Sequence, residues 1–272
     1  MATGQGGFGN SQGPPESDGE SRDPPKFTRD DSCSPRIMRV KKDIADFFAD
    51  PPPGIYIHPD ETDVTKVHAL MVGSETTPFE GGFFRLYIAF PTDYPMSPPT
   101  VTFLTTDAGR VSFNPHIYAT GHICLNILGT NGQSWSPAQS LSSVLISVLS
   151  LLNENTGVKN NQEATSTYRT FLLHETIRVA VCDAVEDCLK DNSSFPAAFK
   201  DVVLKKFEDY YSKHEGEVKA HLGLTGTPMP YSGRPYQFET LLTRLLDLKE
   251  RVAKKRAEDA AAVAAAAASF SF

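Results

Sequence analysis

Three strand candidates lie close together in the first third of the chain, and this spacing constrains the fold more than any other feature. They cover residues 55–58, 66–73 and 82–90. The last one, GFFRLYIAF, has the aromatic and β-branched residues typical of a sheet strand. The connection PFEGG between the second and third is typical of a hairpin, and FPTDYPMSPP leads into a fourth strand candidate at residues 101–104. Such short connections predict antiparallel strands.

Helix signals stand on both sides of these strand candidates. Ser34 followed by Pro35 has the residue types of a helix N-cap and a first helical position, and the prolines at 51–53 end that helix. Apolar residues recur at helical spacing at Val40, Ile44, Phe47 and Phe48, then within 141–152, 167–190, 196–213 and 236–256. One helix, four strands, a long irregular stretch and several helices, in that order, predict an α+β fold with an antiparallel sheet.

The composition favours a globular protein and argues against several functional classes. With 40% hydrophobic residues the chain can bury a core. Its modest net charge of -7 argues against a nucleic-acid binder, which normally carries a basic face. No secretory signal or membrane-spanning run is predicted. The four cysteines are few and irregularly spaced, which argues against a disulfide framework or a zinc site, so we expect a reducing compartment, the cytoplasm or the nucleus.

Both ends of the chain have the composition of tails. Residues 1–33 are rich in Gly, Pro, Ser and Asp, so they cannot offset the entropy cost of ordering and are expected to be disordered. Residues 257–272 form a low-complexity, alanine-rich segment. Alanine favours helix, but this segment has nothing to pack against and is expected to fray.

Cys124 lies in the long irregular stretch between residues 105 and 138, a kind of loop that is usually functional or disordered. A thiol attacks as the thiolate, and catalytic cysteines therefore often sit beside a base or at a helix N-terminus. The sequence around Cys124 indicates neither, so its local composition alone favours a buried structural cysteine. His122 is placed to share a metal with Cys124, but no second cysteine pair accompanies them, which argues against zinc.

Five motifs change that interpretation. DPPPGI, PFEGGFF, FPTDYPMSPP, NPHIYATGHICL and WSPAQSLSSVL occur in one order across residues 35–160, and together they resemble the ubiquitin-conjugating enzymes. The later segment HETIRVAVCD and the helices after it resemble the longer members of that family, which carry a C-terminal helical extension. The resemblance implies a catalytic core at residues 34–160 and a helical extension at 161–256 that packs on the core.

The resemblance also implies a chemistry. Cys124 would accept the C-terminal glycine of ubiquitin, or of a related modifier, from an activating enzyme as a thioester. The modifier would then pass to a substrate lysine or to the cysteine of a ligase. No metal or organic cofactor is implied. The expected partners are the modifier, an activating enzyme and ligases, with neither nucleic acid nor a membrane.

The chain departs from the family pattern in two places. Where the family usually has His-Pro-Asn, this chain has Asn114-Pro115-His116. His116 therefore stands at the position of the asparagine linked to the oxyanion, and Asn114 at that of a mainly structural histidine. His116 could donate an N–H to the oxyanion and make lysine discharge pH-dependent near the usual imidazole pKa of about 6.5, or it could only pack the loop.

The second departure concerns an acid that helps to deprotonate the incoming lysine in many family members. The matching positions here hold Lys159 and Asn160, and the nearby acids are Glu154 and Glu163. This weakens the expectation of direct lysine modification and leaves transfer to a ligase cysteine unaffected.

The resemblance further implies surfaces for partners. Arg39 and Lys42 on the first helix align with basic residues that dock on the activating enzyme. The ligase surface would be formed by two loops, with Pro95 and Met96 in the first and Ser136, Pro137 and Ala138 in the second. In the extension, His174, Glu175 and Arg178 are expected to be free to serve a partner.

Two other functions stay open at this point. The altered tripeptide and the missing loop acid favour a non-catalytic module of the same fold that binds modifiers or ligases, whereas the retained Cys124 opposes it. A cysteine hydrolase would need a His–Asp partner pair, for which the sequence offers no convincing candidate.

Overall fold

The computed structural model describes residues 34–130, 132, 134–153, 162–228 and 234–269. The predicted tail at 1–33 lies outside these residues. The strands are Ile55–Pro59 (β1), Lys66–Val72 (β2), Phe83–Ala89 (β3) and Thr100–Phe103 (β4). The helices are Pro35–Ala49 (α1), Leu141–Leu151 (α2), Gln162–Glu175 (α3), Ala184–Cys188 (α4), Ala197–Ala220 (α5) and Phe238–Ser269 (α6), with a π-helical segment, Thr176–Asp183, between α3 and α4.

The four strands form one antiparallel sheet in the order β1-β2-β3-β4. Each strand pairs with the next along the chain, with Ile55 opposite Met71, Leu70 opposite Arg85 and Leu86 opposite Phe103. This meander confirms the predicted α+β fold.

The sheet packs against a different core on each face, and neighbouring residues of β2 and β3 point to different cores. Met71 and Phe84 lie in one hydrophobic core with α1 and α2, whereas Leu70 and Phe83 lie in a second core with the C-terminal helices. The apolar runs at the end of β2 and the start of β3 follow from this arrangement, because both sides of the strands are buried there.

The two helices of the first core begin as the sequence predicts. The hydroxyl of Ser34 accepts a hydrogen bond from the N–H of Ile37 and caps α1, and Ser140 and Ser143 form a reciprocal capping box at the start of α2. Phe48 shares the apolar spacing of α1 but is 58% exposed. It follows the buried Phe47, and adjacent residues of a helix point in different directions.

The second core joins the C-terminal helices to the sheet. Phe83 and Leu70 of the sheet are buried together with residues of the π-helical segment, α5 and α6. On the same sheet face as Phe83, the guanidinium of Arg85 donates to the hydroxyl and carbonyl of Ser194 at 2.6 and 2.8 Å and lies over the ring of Phe195. The sheet face opposite α1 and α2 therefore packs against the chain's own extension.

The expectation that His174, Glu175 and Arg178 are free is wrong. His174 and Glu175 are each 3% exposed, and the carboxylate of Glu175 contacts the His174 ring at 2.8 Å and the Nε of Arg178 at 3.1 Å. Arg178 also donates to Asp107 at 2.7 Å. These four residues, called the ion cluster below, connect the extension to the loop after β4. A buried charge is tolerated only with such partners.

Helix α6 continues through the alanine-rich segment, which the sequence predicted to fray. It begins at Phe238 and ends at Ser269. Its first part is anchored by buried leucines at 241, 245 and 248, and adding residues to an existing helix is far easier than starting one. Alanine, the best helix former, therefore continues the helix.

Candidate active site

The segment that holds Cys124 runs back alongside the end of β4. Thr102 forms an antiparallel bridge with His122, and Phe103 donates its N–H to the carbonyl of Gly121 at 2.8 Å. Gly121 has a φ of 86°, and a Cβ at this residue would lie 2.5 Å from the carbonyl oxygen of Phe103. Only glycine permits this close approach, which places Cys124 just beyond the sheet edge.

Cys124 is half-buried. Its backbone N–H forms a short hydrogen bond, whereas its thiol has only a longer contact. Its N–H donates to the carbonyl of His116 at 2.8 Å. Its Sγ lies 3.7 Å from the carbonyl oxygen of Thr130, within reach of the weak S–H donor. Among the described residues no imidazole or carboxylate is hydrogen-bonded to the thiol. Within the part of the chain that the structure describes, Cys124 thus lacks the contact with a base on which a cysteine hydrolase depends.

Asn114 and His116 have different environments, although they flank one proline. Asn114 is 1% exposed. Its Oδ1 accepts from the N–H of His116 at 2.8 Å, and its Nδ2 donates to the carbonyl of Leu151 at 2.9 Å. The His116 ring is exposed, while its backbone is bonded on both sides. A continuous path of hydrogen bonds thus runs from the end of α2 through Asn114 and His116 to Cys124.

The region of the expected loop acid lies largely outside the described residues. Glu154, Lys159 and Asn160 lie outside the described residues, as does the side chain of Glu163. Within the described ranges no group of three or more His, Cys, Asp or Glu residues could hold a metal ion. No described helix is both long and apolar enough to cross a membrane.

Arg39, expected on the docking surface for an activating enzyme, is bonded within the chain. Its guanidinium donates to the carbonyls of Pro137 and Gln139 at 2.9 and 2.6 Å and to Asp43 at 3.1 Å. Asp43 is also the acceptor for the hydroxyl of Tyr94; burial, and then that bond, raise the pKa of Tyr94 well above its usual value. Arg39 therefore connects α1 to the loop before α2, the second of the two expected ligase loops.

The two expected ligase loops are also joined to each other. The indole N–H of Trp135 donates to the carbonyl of Pro95 at 2.7 Å. Beside this link, Met96 is 69% exposed, and Ser136 and Ala138 are exposed as well. The structure thus brings Pro95, Met96, Ser136, Pro137 and Ala138 to adjacent loops, with an apolar side chain at the surface.

Lys42 differs from Arg39, although both lie on α1. The Lys42 side chain is 67% exposed and forms an ion pair with Asp46, one turn along the helix. Exposed pairs of this kind contribute little to stability. Lys42 is therefore accessible to a partner in a way that the Arg39 guanidinium is not.

Sequence reasoning missed two residues, Thr130 beside Cys124 and Asp107 in the loop after β4. Thr130 contacts the backbone on both sides of Cys124, and Asp107 connects the loop after β4 to the extension. Neither belongs to a periodic pattern. The signal for Thr130 is a threonine in a glycine-containing turn shortly after the cysteine. The contact of Asp107 with Arg178 gives no local signal, since the two residues are 71 positions apart.

The chain is similar to known proteins of one family. The family model of the ubiquitin-conjugating enzymes matches residues 39–173. A crystal structure of a ubiquitin conjugating enzyme E2 from Plasmodium falciparum is 30% identical; the match covers 42% of this chain and 96% of that chain, with a TM-score of 0.38.

Curated relatives named ubiquitin-conjugating enzyme E2 Z match most of the chain. The protein of Danio rerio is 43% identical over 232 residues, which cover 80% of this chain and 69% of the relative. The protein of Xenopus tropicalis is 40% identical over 235 residues, which cover 82% and 74%. The chain therefore belongs to the ubiquitin-conjugating enzyme family. It is an E2 enzyme, a carrier of ubiquitin by class.

Proposed function

We propose that Cys124 is the acceptor thiol of this carrier. It takes the C-terminus of ubiquitin, or of a related modifier, from an activating enzyme as a thioester, and gives it to a substrate lysine or a ligase cysteine. The observation that carries the proposal is a half-buried thiol just past the sheet edge, on a backbone bonded to His116 and, through Asn114, to the end of α2.

The charging step is an exchange of thioesters. The Cys124 thiol gives up its proton, Sγ forms a bond to the carbonyl carbon of the modifier, and the bond from that carbon to the sulfur of the activating enzyme breaks. The activating enzyme leaves as a thiolate that takes up a proton. The attacked carbonyl is already activated and held against the thiol, so proximity supplies much of the rate, and a base bonded to the thiol is not required.

Asn114 and His116 have different roles in this proposal. Asn114 is a positioning residue, because both ends of its amide are occupied by backbone partners. The exposed ring of His116 is free to turn toward the thioester and to donate an N–H to the oxyanion that forms during discharge. Loss of one such donor costs about 100- to 1,000-fold in rate in other enzymes.

Cysteine-to-cysteine transfer is the better supported discharge route. A lysine must lose a proton before it attacks, and the positions that match the family's loop acid hold Lys159 and Asn160. A ligase cysteine needs no such acid. We therefore propose that discharge to a ligase cysteine is faster than discharge to free lysine.

The partner surfaces and the division of the chain complete the proposal. Lys42 is the accessible cation for the activating enzyme, and Arg39 supports the loop before α2. Met96 and its neighbours receive a ligase. Residues 34–160 act as the catalytic core and 161–256 as its extension, in the cytoplasm or the nucleus, where thiols stay reduced.

The second candidate function is a binding module that holds a modifier or a ligase without charging. The observation that favours it is the changed tripeptide Asn114-Pro115-His116. Incubation with ATP, ubiquitin and a panel of activating enzymes separates the two on a non-reducing gel. A carrier gives a band that is heavier by one modifier and disappears with reductant. A binding module gives no such band and still retains modifier or ligase in a pull-down.

A further inference from the structure

The hydroxyl of Thr130 lies against the backbone on both sides of Cys124. Its Oγ1 accepts a hydrogen bond from the N–H of Leu125 at 2.7 Å. The same hydroxyl lies 2.9 Å from the carbonyl of Ile123 and 3.2 Å from that of Leu125. Because it has one proton, it donates to one carbonyl at a time, and the shorter distance favours Ile123.

The turn that follows Cys124 brings Thr130 back to it. Thr130 donates its own N–H to the carbonyl of Leu125 at 3.2 Å, and Gly129 has a φ of 70°, a conformation that glycine adopts easily. The carbonyl of Thr130 is also the group within reach of the Cys124 Sγ. One residue thus contacts the thiol, the peptide before it and the peptide after it.

Packing does not account for this threonine. Its side chain is exposed, so burial of apolar surface does not explain the residue. What the hydroxyl adds is direction, since it sets the orientation of the two peptide groups that carry Cys124 between them. Together with the hydrogen bond from the Cys124 N–H to the carbonyl of His116, this hydroxyl restricts the directions in which the Cys124 Sγ can point.

We propose that Thr130 is a positioning residue for Cys124 in thioester formation, an inference that rests on the proposed function. The Sγ must approach the carbonyl carbon of the modifier along a narrow path, and a misplacement of about 1 Å can cost about 100-fold in rate. Thr130 acts on this step through the backbone and takes no proton itself.

The test compares Thr130→Val, which has nearly the same shape without the hydroxyl, with Thr130→Ser, which keeps it. Charging by an activating enzyme is measured over a range of carrier concentrations. We expect kcat to fall about tenfold in Thr130→Val, within the range known for misplaced reacting groups, with KM and the unfolding midpoint unchanged. Thr130→Ser should keep the wild-type kcat. Thr62→Val, which removes an exposed hydroxyl bonded to Asp60 in the connection between β1 and β2, serves as the matched control.

Alkylation of Cys124 by iodoacetamide gives a second readout, because this small reagent approaches from many directions. The positioning role predicts that its rate is the same in Thr130→Val and the wild type. Equal charging in these two proteins would overturn the proposal, as would an equal loss in Thr130→Ser, a change in KM alone, or a matching loss of alkylation. If the wild type is not charged by any activating enzyme, both the proposed function and this inference are wrong. If the wild type is charged, the comparison of the variants tests the role of Thr130 alone.

Discussion

The backbone N–H of Cys124 donates to the carbonyl of His116 at 2.8 Å, so the candidate nucleophile is bonded to the residue eight positions before it. The N–H of His116 in turn donates to the Oδ1 of Asn114, and the Nδ2 of Asn114 donates to the carbonyl of Leu151 at the end of α2. The changed tripeptide therefore does more than replace one oxyanion donor. Asn114 is buried and bonded to the backbone of His116, whereas the ring of His116 is exposed.

We predict that Asn114→Ala lowers both stability and the charging rate. The substitution leaves the carbonyl of Leu151 and the N–H of His116 without their partner, at a cost of about 1–3 kcal/mol for buried groups. Urea unfolding and the charging assay measure the two effects. Asn126→Ala, at an exposed position near Cys124, should change unfolding little. Equal unfolding midpoints for both variants would contradict the structural role of Asn114.

His116 should make discharge depend on pH in a way that asparagine does not. An imidazolium is a stronger donor to an oxyanion than a neutral ring, so the ratio of the wild-type rate to the His116→Asn rate should grow as pH falls from 8 to 6. Using a ratio removes the ionisation of the attacking lysine, which is common to both. Discharge to free lysine is followed in a single turnover.

The matched control for this experiment is His122→Asn. His122 is also exposed and close to Cys124, and its ring stacks on Tyr118. The ratio of the wild-type rate to the His122→Asn rate should stay constant over the same pH range. A constant ratio for His116→Asn as well would leave the His116 ring with no part in discharge.

Arg178 should be essential to the connection between the extension and the loop after β4. Arg178→Met leaves the carboxylate of Glu175 without its main cationic partner, whereas Asp107 keeps Arg110. Breaking a buried pair in this way typically costs about 3–5 kcal/mol. Arg251→Met removes an exposed pair with Asp247 and should cost less than about 1 kcal/mol. Equal urea midpoints for the two variants would show that the ion cluster does not stabilise the fold.

The ion cluster also predicts sensitivity to acid. Burial alone would raise the pKa of Glu175, but the hydrogen bonds from His174 and Arg178 outweigh it and hold the pKa below its usual value. The pKa of Asp107 is lowered in the same way, with burial opposed by Arg110 and Arg178.

Carboxylates with a lowered pKa stabilise the fold above their unfolded pKa, and this stability is lost as pH falls through the folded value. The unfolding midpoint of the wild type should therefore decrease as the pH is lowered below about 4.5, near the usual carboxyl pKa values. Glu175→Gln should be less stable at pH 7 and show a weaker dependence over the same range. A wild type whose midpoint is the same at pH 7 and pH 3.5 would contradict this prediction.

Lys42 should affect docking of the activating enzyme and nothing else in the chain. Lys42→Glu reverses an exposed charge and should raise the KM for charging with kcat and the unfolding midpoint unchanged, since surface charges mainly act on association. Lys255→Glu is the matched control, because Lys255 forms the same kind of pair with Asp259 one turn along α6. Equal KM values for both variants would remove Lys42 from the docking surface.

The fold could be predicted from the sequence because it depends on repeated local signals. Apolar spacing located α1, α2 and the four strands to within a few residues. The motif order singled out Cys124, and in the structure its N–H is bonded to the carbonyl of His116.

The remaining features depend on contacts that no local pattern encodes. The sequence around Arg178 is typical of a free surface cation, and nothing in it indicates Asp107, which is distant in the sequence but bonded to Arg178 in the fold. Thr130 acts through hydrogen bonds to main-chain atoms, which any residue type presents alike. Phe48 looked like part of an apolar stripe, but the direction of a side chain on a helix decides which of two neighbouring aromatic residues is buried.

The measurement that tests the central claim most directly is charging of Cys124→Ser beside the wild type and Cys188→Ala. With ATP, ubiquitin and the cognate activating enzyme, the wild type and Cys188→Ala should give a band that reductant removes. Cys124→Ser should give either no band or a slowly formed one that resists reductant, because an oxygen ester replaces the thioester. A reductant-sensitive band that persists in Cys124→Ser, or no band from the folded wild type with any activating enzyme, would contradict the assignment of Cys124 as the acceptor.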